Sequence, residues 1–152
     1  MRDNQALIAA DVTALPFSDN SFSVAVAEGL LTTLDNVCDR VACLKEVARV
    51  LTPNGRLWII DFAQNWHLDH YRKRYMNGLE EGLGLGNFEV RNENAGKCIY
   101  IAHHYSEREI ATLLYEQGFS IDHFEYRRVK TYHGNSVYGM VLRGRTLGEK
   151  GS

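Results

Sequence analysis

Short unbroken apolar runs, each ending in a polar or glycine residue, alternate with turn-forming clusters and one long stretch of helical spacing, which is how buried strands and covering helices read in sequence. Ala6 to Ala10 is such a run and stops at Asp11, so it predicts a buried parallel strand with a carboxylate at its C-terminal end. Leu15-Pro16-Phe17 leaves the sheet, Ser18 to Ser21 supplies turn chemistry, and Phe22 to Ala27 predicts a second strand stopping at Glu28-Gly29. Asp35 is the expected N-cap of a helix whose apolar face recurs at Val37, Val41, Leu44, Ala48 and Leu51. Pro53 cannot continue that helix, and Asn54 or Gly55 can take the left-handed turn into Leu57-Trp58-Ile59-Ile60, a third strand ending at Asp61. Strand, helix, strand in this order implies a right-handed crossover and a parallel pair.

The second half is less periodic. A helical segment is expected from about Trp66 to Leu79, then a glycine-rich turn at Gly82 to Gly86 and an irregular or short β region through Tyr100. Ser106-Glu107-Arg108-Glu109 is a capping box opening a helix with Ile110, Leu113 and Leu114 buried and Gly118 as its stop. Ser120 to Thr131 and Val137 to Arg143 read as an antiparallel hairpin turned by Tyr132-His133-Gly134-Asn135-Ser136. The expectation is one domain over 1–148 with an insertion over 63–105.

Composition narrows the class. A chain of 152 residues with 45% hydrophobic and 24% charged residues builds one globular core, and a net charge of −2 offers no field for nucleic acid. The basic runs Arg72-Lys73-Arg74 and Arg127-Arg128 read as solvated faces. Cys38, Cys43 and Cys98 lack paired spacing, which argues against a disulfide framework and a structural zinc site and fits a reducing cytoplasm. No apolar run reaches the roughly 20 residues that span a bilayer, and the polar start Met1 to Gln5 gives no export signal.

The segments Ala9 to Phe17, Ser23 to Gly29 and Leu44 to Phe62, with its Leu51-Thr52-Pro53-Asn54-Gly55 turn, resemble in order and spacing the central and later motifs of class I S-adenosylmethionine-dependent methyltransferases of the small-molecule, type 11-like group. The resemblance implies a Rossmann-like α/β sheet, mostly parallel with a C-terminal antiparallel hairpin, beginning at the family's third strand and lacking the N-terminal βαβ with its glycine loop and ribose-binding acid. Those missing strands lie between the family's third and fourth. Their loss would open a gap of roughly 14 Å or let the third strand re-pair with the fourth, and the expected outcome is a fragment of a longer protein, a re-paired small sheet, or an apolar edge at Val24 to Ala27 completed by a second copy or a partner chain.

The same resemblance assigns S-adenosylmethionine as cofactor. It places Asp11 and the Val12 amide at adenine with Leu15 and Phe17 as apolar walls, and Glu28 and Gly29 at the methionine and sulfonium end. Read alone, Asp11 could merely cap a turn and Glu28 the next segment. Methyl transfer asks chiefly for alignment in a dry pocket, with a base when the acceptor carries a proton. Candidate bases are His103, His104 and Tyr105, with His67 and His70 further candidates. Extended backbone would send His103 and His104 to opposite faces. His67 and His70, three apart, lack a further ligand of the known zinc patterns, so no metal is expected. Gly82-Leu83-Gly84-Leu85-Gly86 mimics a cofactor glycine loop but follows no apolar strand, and reads as a hinge. The readings are therefore methyl transfer to a small-molecule acceptor, a silent module completed by a partner, or, less in keeping with Leu-Pro-Phe, a nucleotide-dependent oxidoreductase.

Overall fold

A computed structural model describes residues 6–92, 95–131 and 134–147. In chain order the elements are β1 (Phe22–Glu28), α1 (Val37–Val50), β2 (Leu51–Phe62), α2 (Asp69–Glu80), β3 (Asn87–Arg91), β4 (Cys98–His103), α3 (Glu107–Glu116), β5 (Phe119–Lys130) and β6 (Ser136–Thr146). Four strands form a sheet in the order β1-β2-β6-β5, and β3 and β4 make a separate antiparallel pair. β1 runs parallel to β2, while β6 is antiparallel to both β2 and β5. Three of the four strands therefore point the same way, with β6 inserted against them, which is the mostly parallel sheet and closing hairpin expected.

Helix and sheet follow the residues closely in the first half. Asn54 takes the left-handed conformation (φ 62°) in the Thr52 to Gly55 turn. That turn interrupts the register between the Phe22–Leu51 and Val24–Arg56 pairs, so α1 passes into β2 through a bulge rather than a loop. The N-cap of α1 is Asn36, not Asp35: the Asn36 side chain accepts from the Asp39 amide at 2.9 Å, whereas Asp35 accepts from the Ile101 amide of β4 at 3.1 Å. The capping box of α3 is present as expected, and Gly118 follows with φ 86°. The second helix begins at Asp69, later than Trp66, because Asn65 turns inward to hold Tyr138.

One expected strand is absent. Ala6 to Ala10 forms no ladder, and Leu7 and Ile8 are exposed. Among the described residues β1 pairs only with β2, so this run has neither closed onto the sheet edge nor found another partner, and an apolar run without a ladder is not held as a strand. The edge itself is as expected: Phe22, Val24 and Val26 are exposed. Met1 to Gln5, the hairpin residues Tyr132 and His133, and the chain beyond Leu147 lie outside the described residues. None of the described helices is long and apolar enough to cross a membrane.

Two cores result. The larger lies under α1 and α3, where Leu44, Leu57, Ile59, Ile110, Phe119 and Leu142 are buried. Each such side chain contributes about 1.5–3 kcal/mol. The smaller joins Tyr71 and Tyr75 of α2 to Phe88 of β3, Ala102 of β4 and Val137 of β6, with Phe62 packed against them. The segment between Ala63 and Tyr105 leaves and returns at adjacent points, since these two residues form a parallel bridge, with Gln64 N–H donating to Tyr105 O at 2.9 Å and Tyr105 N–H to Phe62 O at 3.0 Å.

Within that segment α2 rests directly on the β3 backbone at Gly78, where any Cβ would collide with the carbonyl of Asn87. Gly78→Ala must separate helix from strand, and urea unfolding is expected to show a loss of about 1–3 kcal/mol.

Candidate functional site

The carboxyl ends of β1 and β2 lie side by side, Gly29 N–H donating to Ile60 O at 2.8 Å, and ligands of open α/β sheets bind beyond such ends. The loop after β1 is fixed there by four polar contacts. Thr32 N–H donates to Asp61 Oδ2 at 3.2 Å, and its hydroxyl to His103 O at 2.7 Å. Tyr105 donates its hydroxyl to Leu31 O at 3.1 Å, and Arg40 Nε–H reaches Leu34 O at 3.0 Å. Asp61 is buried, and burial raises its carboxyl to about 6 against the bonds from Phe62, Thr32 and Leu31 and the Arg40 charge.

The residues expected around adenine are only partly brought together. Val12, Leu15 and Phe17 line one groove of about 340 Å³ with Ala25, Ala27 and Leu30 beneath the uncovered β1 edge. Asp11 stands exposed at the start of that loop and accepts from Thr13 N–H (2.8 Å) and Thr13 Oγ1 (2.7 Å), an Asx turn. These bonds hold its carboxyl below the usual carboxylate range. Glu28 is exposed and does not line the groove, although its neighbours Val26 and Ala27 do. Gly29 (φ 58°) has nothing within 4 Å of where a Cβ would stand, leaving open space beside the strand end.

What fastens this loop was not read from the sequence. Glu46 of α1 accepts from the Leu15 amide at 2.7 Å, while Arg49 bonds Glu46, Asp19 and the carbonyls of Leu15 and Phe17. The Arg49 bond, more than the Leu15 amide, draws Glu46 down to about 2. The available signal was a Glu and an Arg three apart on one helix.

The three candidate bases are all buried and engaged. His103 meets Asn87 Oδ1 through Nδ1 (2.7 Å) and Glu109 Oε1 through Nε2 (2.6 Å). Tyr105 is held by Leu31, and burial pushes its hydroxyl well above the usual range. His104 faces the other way, as alternation requires: its Nδ1 lies 2.7 Å from Tyr75 Oη. Tyr75 already accepts from the Asn65 amide at 3.0 Å, so its hydroxyl donates to Nδ1 and His104 carries its proton on Nε2. Its ring is stacked on Phe62 (5.2 Å, 17°) and edge-on to Phe88 (4.9 Å). Burial, aided by Arg74 and His103, lowers it to about 3. His67 and His70 sit instead beside Tyr138 and Tyr71.

A second cavity, of about 200 Å³, opens where these rings meet the sheet end, bounded by Thr32, Phe62, Tyr71, Arg74, Phe88 and His104. No sequence pattern assigned Tyr71, Tyr75 or Phe88 a role. Their convergence depends on the fold of the 63–105 segment, which carries little periodic signal.

Comparison with known proteins locates this arrangement. The family model for a methyltransferase domain, type 11, matches residues 1–59. A ubiquinone/menaquinone biosynthesis C-methyltransferase from Hahella chejuensis is 44% identical over 63 residues, 41% of this chain and 24% of that protein. One of the same name from a Shewanella species is 38% identical over 122 residues, 76% of this chain and 46% of that one. The chain thus spans less than half the length of these relatives. Among solved structures, a SAM-dependent methyltransferase from Methanosarcina mazei superposes with TM-score 0.87 at 37% identity, covering 92% of this chain and 66% of that one.

His104 makes the acid response of this region predictable. Its folded value of about 3 lies below the ordinary 6.5, so between those values the unfolded chain binds the proton and the folded chain does not. Stability from His104 is full above pH 6.5 and falls as pH drops toward 3. Asp61 acts oppositely, holding its proton in the fold up to about 6 and so stabilising as pH falls below that. In urea titrations from pH 7.5 to 4, His104→Phe should show a shallower loss of stability than the parent, and Asp61→Asn a steeper one.

Proposed function

The chain belongs to the class I S-adenosylmethionine-dependent methyltransferases of the type 11 group, and from that membership we propose that it serves methyl transfer from S-adenosylmethionine to a small-molecule acceptor. The observation that carries the reading is the groove at the β1 end, where Val12, Leu15 and Phe17 supply the apolar walls an adenine needs, with the Asp11 carboxylate exposed at the start of the same loop. These groups fit the adenine end of the cofactor, and Gly29 leaves room for a close approach at the strand end. When bound, the cofactor supplies an electrophilic methyl group.

The chain's own part is to orient and to exclude water. Glu46 and Arg49 hold the 11–19 loop on α1, the Asp61, Thr32 and Tyr105 contacts hold the loop after β1, and the 63–105 segment, read as an insertion, walls the acceptor side. His103 and Tyr105 serve as supports rather than bases. That the relatives are C-methyltransferases of ubiquinone and menaquinone biosynthesis supports carbon as the accepting atom. Three free cysteines suit a reducing compartment such as the cytoplasm.

A second reading is favoured by the exposed apolar edge at Phe22, Val24 and Val26: a catalytically silent module whose sheet is completed by a second copy or another chain. Calorimetric titration with S-adenosylhomocysteine separates the two. Binding heat that falls at least about tenfold in affinity in Asp11→Ala supports cofactor binding, one charge-assisted hydrogen bond being worth about that much. Absence of binding at millimolar ligand favours the silent module, and light scattering then reports whether the edge is self-associated.

A further inference from the structure

The 200 Å³ cavity at the end of β2 is a built pocket with a definite chemistry. Its walls are rings in several orientations: His104 stacks on Phe62, meets Phe88 edge-on at 87°, and lies 5.1 Å from Tyr71 at 39°. Flat, polarisable faces set at such angles accept a planar guest. A dry apolar cavity of about 150 Å³ holds a benzene ring, so this one has room for a single substituted ring.

Its polar lining is the hydroxyls of Thr32, Tyr71, Tyr100 and Thr131 and the His104 ring, and its one charged side chain among the described residues is Arg74. Arg74 of α2 lies against the Phe88 face at 4.2 Å and the Tyr71 face at 5.7 Å, and donates from Nη2 to Glu89 O at 3.3 Å. No carboxylate among the described residues pairs with it, so a guanidinium borders the cavity with its charge unmatched. His104 adds a neutral ring whose proton, by the bond from Tyr75, sits on Nε2. Thr32, also at the wall, has its hydroxyl committed to His103 O. Among the described residues no anion stands opposite Arg74, and a simple carboxylate would leave the ring-shaped space unfilled.

We propose that this cavity binds an aromatic ring bearing an acidic hydroxyl, a phenol or enol, with the ring between Phe62, Tyr71 and Phe88 and its ionised oxygen on Arg74. This deepens the methyltransferase reading and rests on it for the claim that the guest is the methyl acceptor. Arg74 is then a specificity-determining residue. It selects the ionised hydroxyl, the form in which oxygen and the adjacent ring carbons are most nucleophilic.

The probe is 4-nitrophenol, whose absorption separates phenol from phenolate, added to the whole chain without cofactor. The expected result is saturable binding that shifts the probe's ionisation to lower pH, with nitrobenzene, which lacks the hydroxyl, binding at least about tenfold more weakly. Arg74→Gln should abolish the ionisation shift and weaken 4-nitrophenol about tenfold while leaving nitrobenzene unchanged. Val90→Phe, on the cavity wall with Arg74 intact, should weaken both probes. No saturable binding, or an ionisation shift that survives Arg74→Gln, overturns the proposal. Titration of the same samples with S-adenosylhomocysteine reads the cofactor groove independently. Cofactor binding without probe binding sinks this inference alone, and probe binding without cofactor binding keeps the pocket while removing its role in methyl transfer.

Discussion

The loop after β1 and the aromatic wall beside it are placed by the short parallel bridge between Ala63 and Tyr105. It closes the 63–105 segment at its base, so that the segment's two ends are fixed to β2 whatever happens at its tip. From Tyr105 the constraint passes to Leu31 through the phenol hydroxyl, and from the preceding residue's neighbour, His103, to Thr32 through a backbone carbonyl. Asp61 completes the circuit from the β2 side. Because these donors and acceptors are buried, breaking one strands its partner, and each loss costs more than the bond contributes when made.

The same circuit explains why the pair at 103 and 104 divides its labour. Consecutive extended residues project oppositely, so one histidine becomes part of the support under the β1 loop and the other part of the aromatic wall. The support position meets two acceptors. The wall position is surrounded by the rings of Phe62, Tyr71, Tyr75 and Phe88, its ring bonds only the Tyr75 hydroxyl among the described residues, and its burial disfavours the charged form. Identical side chains thus acquire different electrostatic roles from the pleat alone.

Sequence periodicity reads well wherever one face of an element is buried against a regular neighbour. The crossover from β1 through α1 to β2, the left-handed Asn54 and the Ser106 to Glu109 box are local rules that tertiary structure left intact. It reads poorly where partners are distant. Asp35 and Asn36 are equally good caps by composition, and the choice between them was made by Ile101, 66 residues away. Ala6 to Ala10 has a strand's composition, yet a strand is stabilised by its neighbours, and none is present in the described sheet. Of the candidate site, a motif singled out Val12, Leu15 and Phe17, which share one groove, whereas the Arg49 clamp and the Tyr71, Phe88 and His104 cluster depend on contacts no local pattern encodes.

β6 has one property beyond its place in the sheet order. Its inner stretch, with Met140 and Leu142, belongs to the core under the two helices, while Val137 near its start belongs to the aromatic core. One strand is therefore a beam shared by both hydrophobic compartments. Neither can open without loosening the ladder that the other needs, so the two cores should exchange amide protons as a single cooperative unit rather than as two independent lobes.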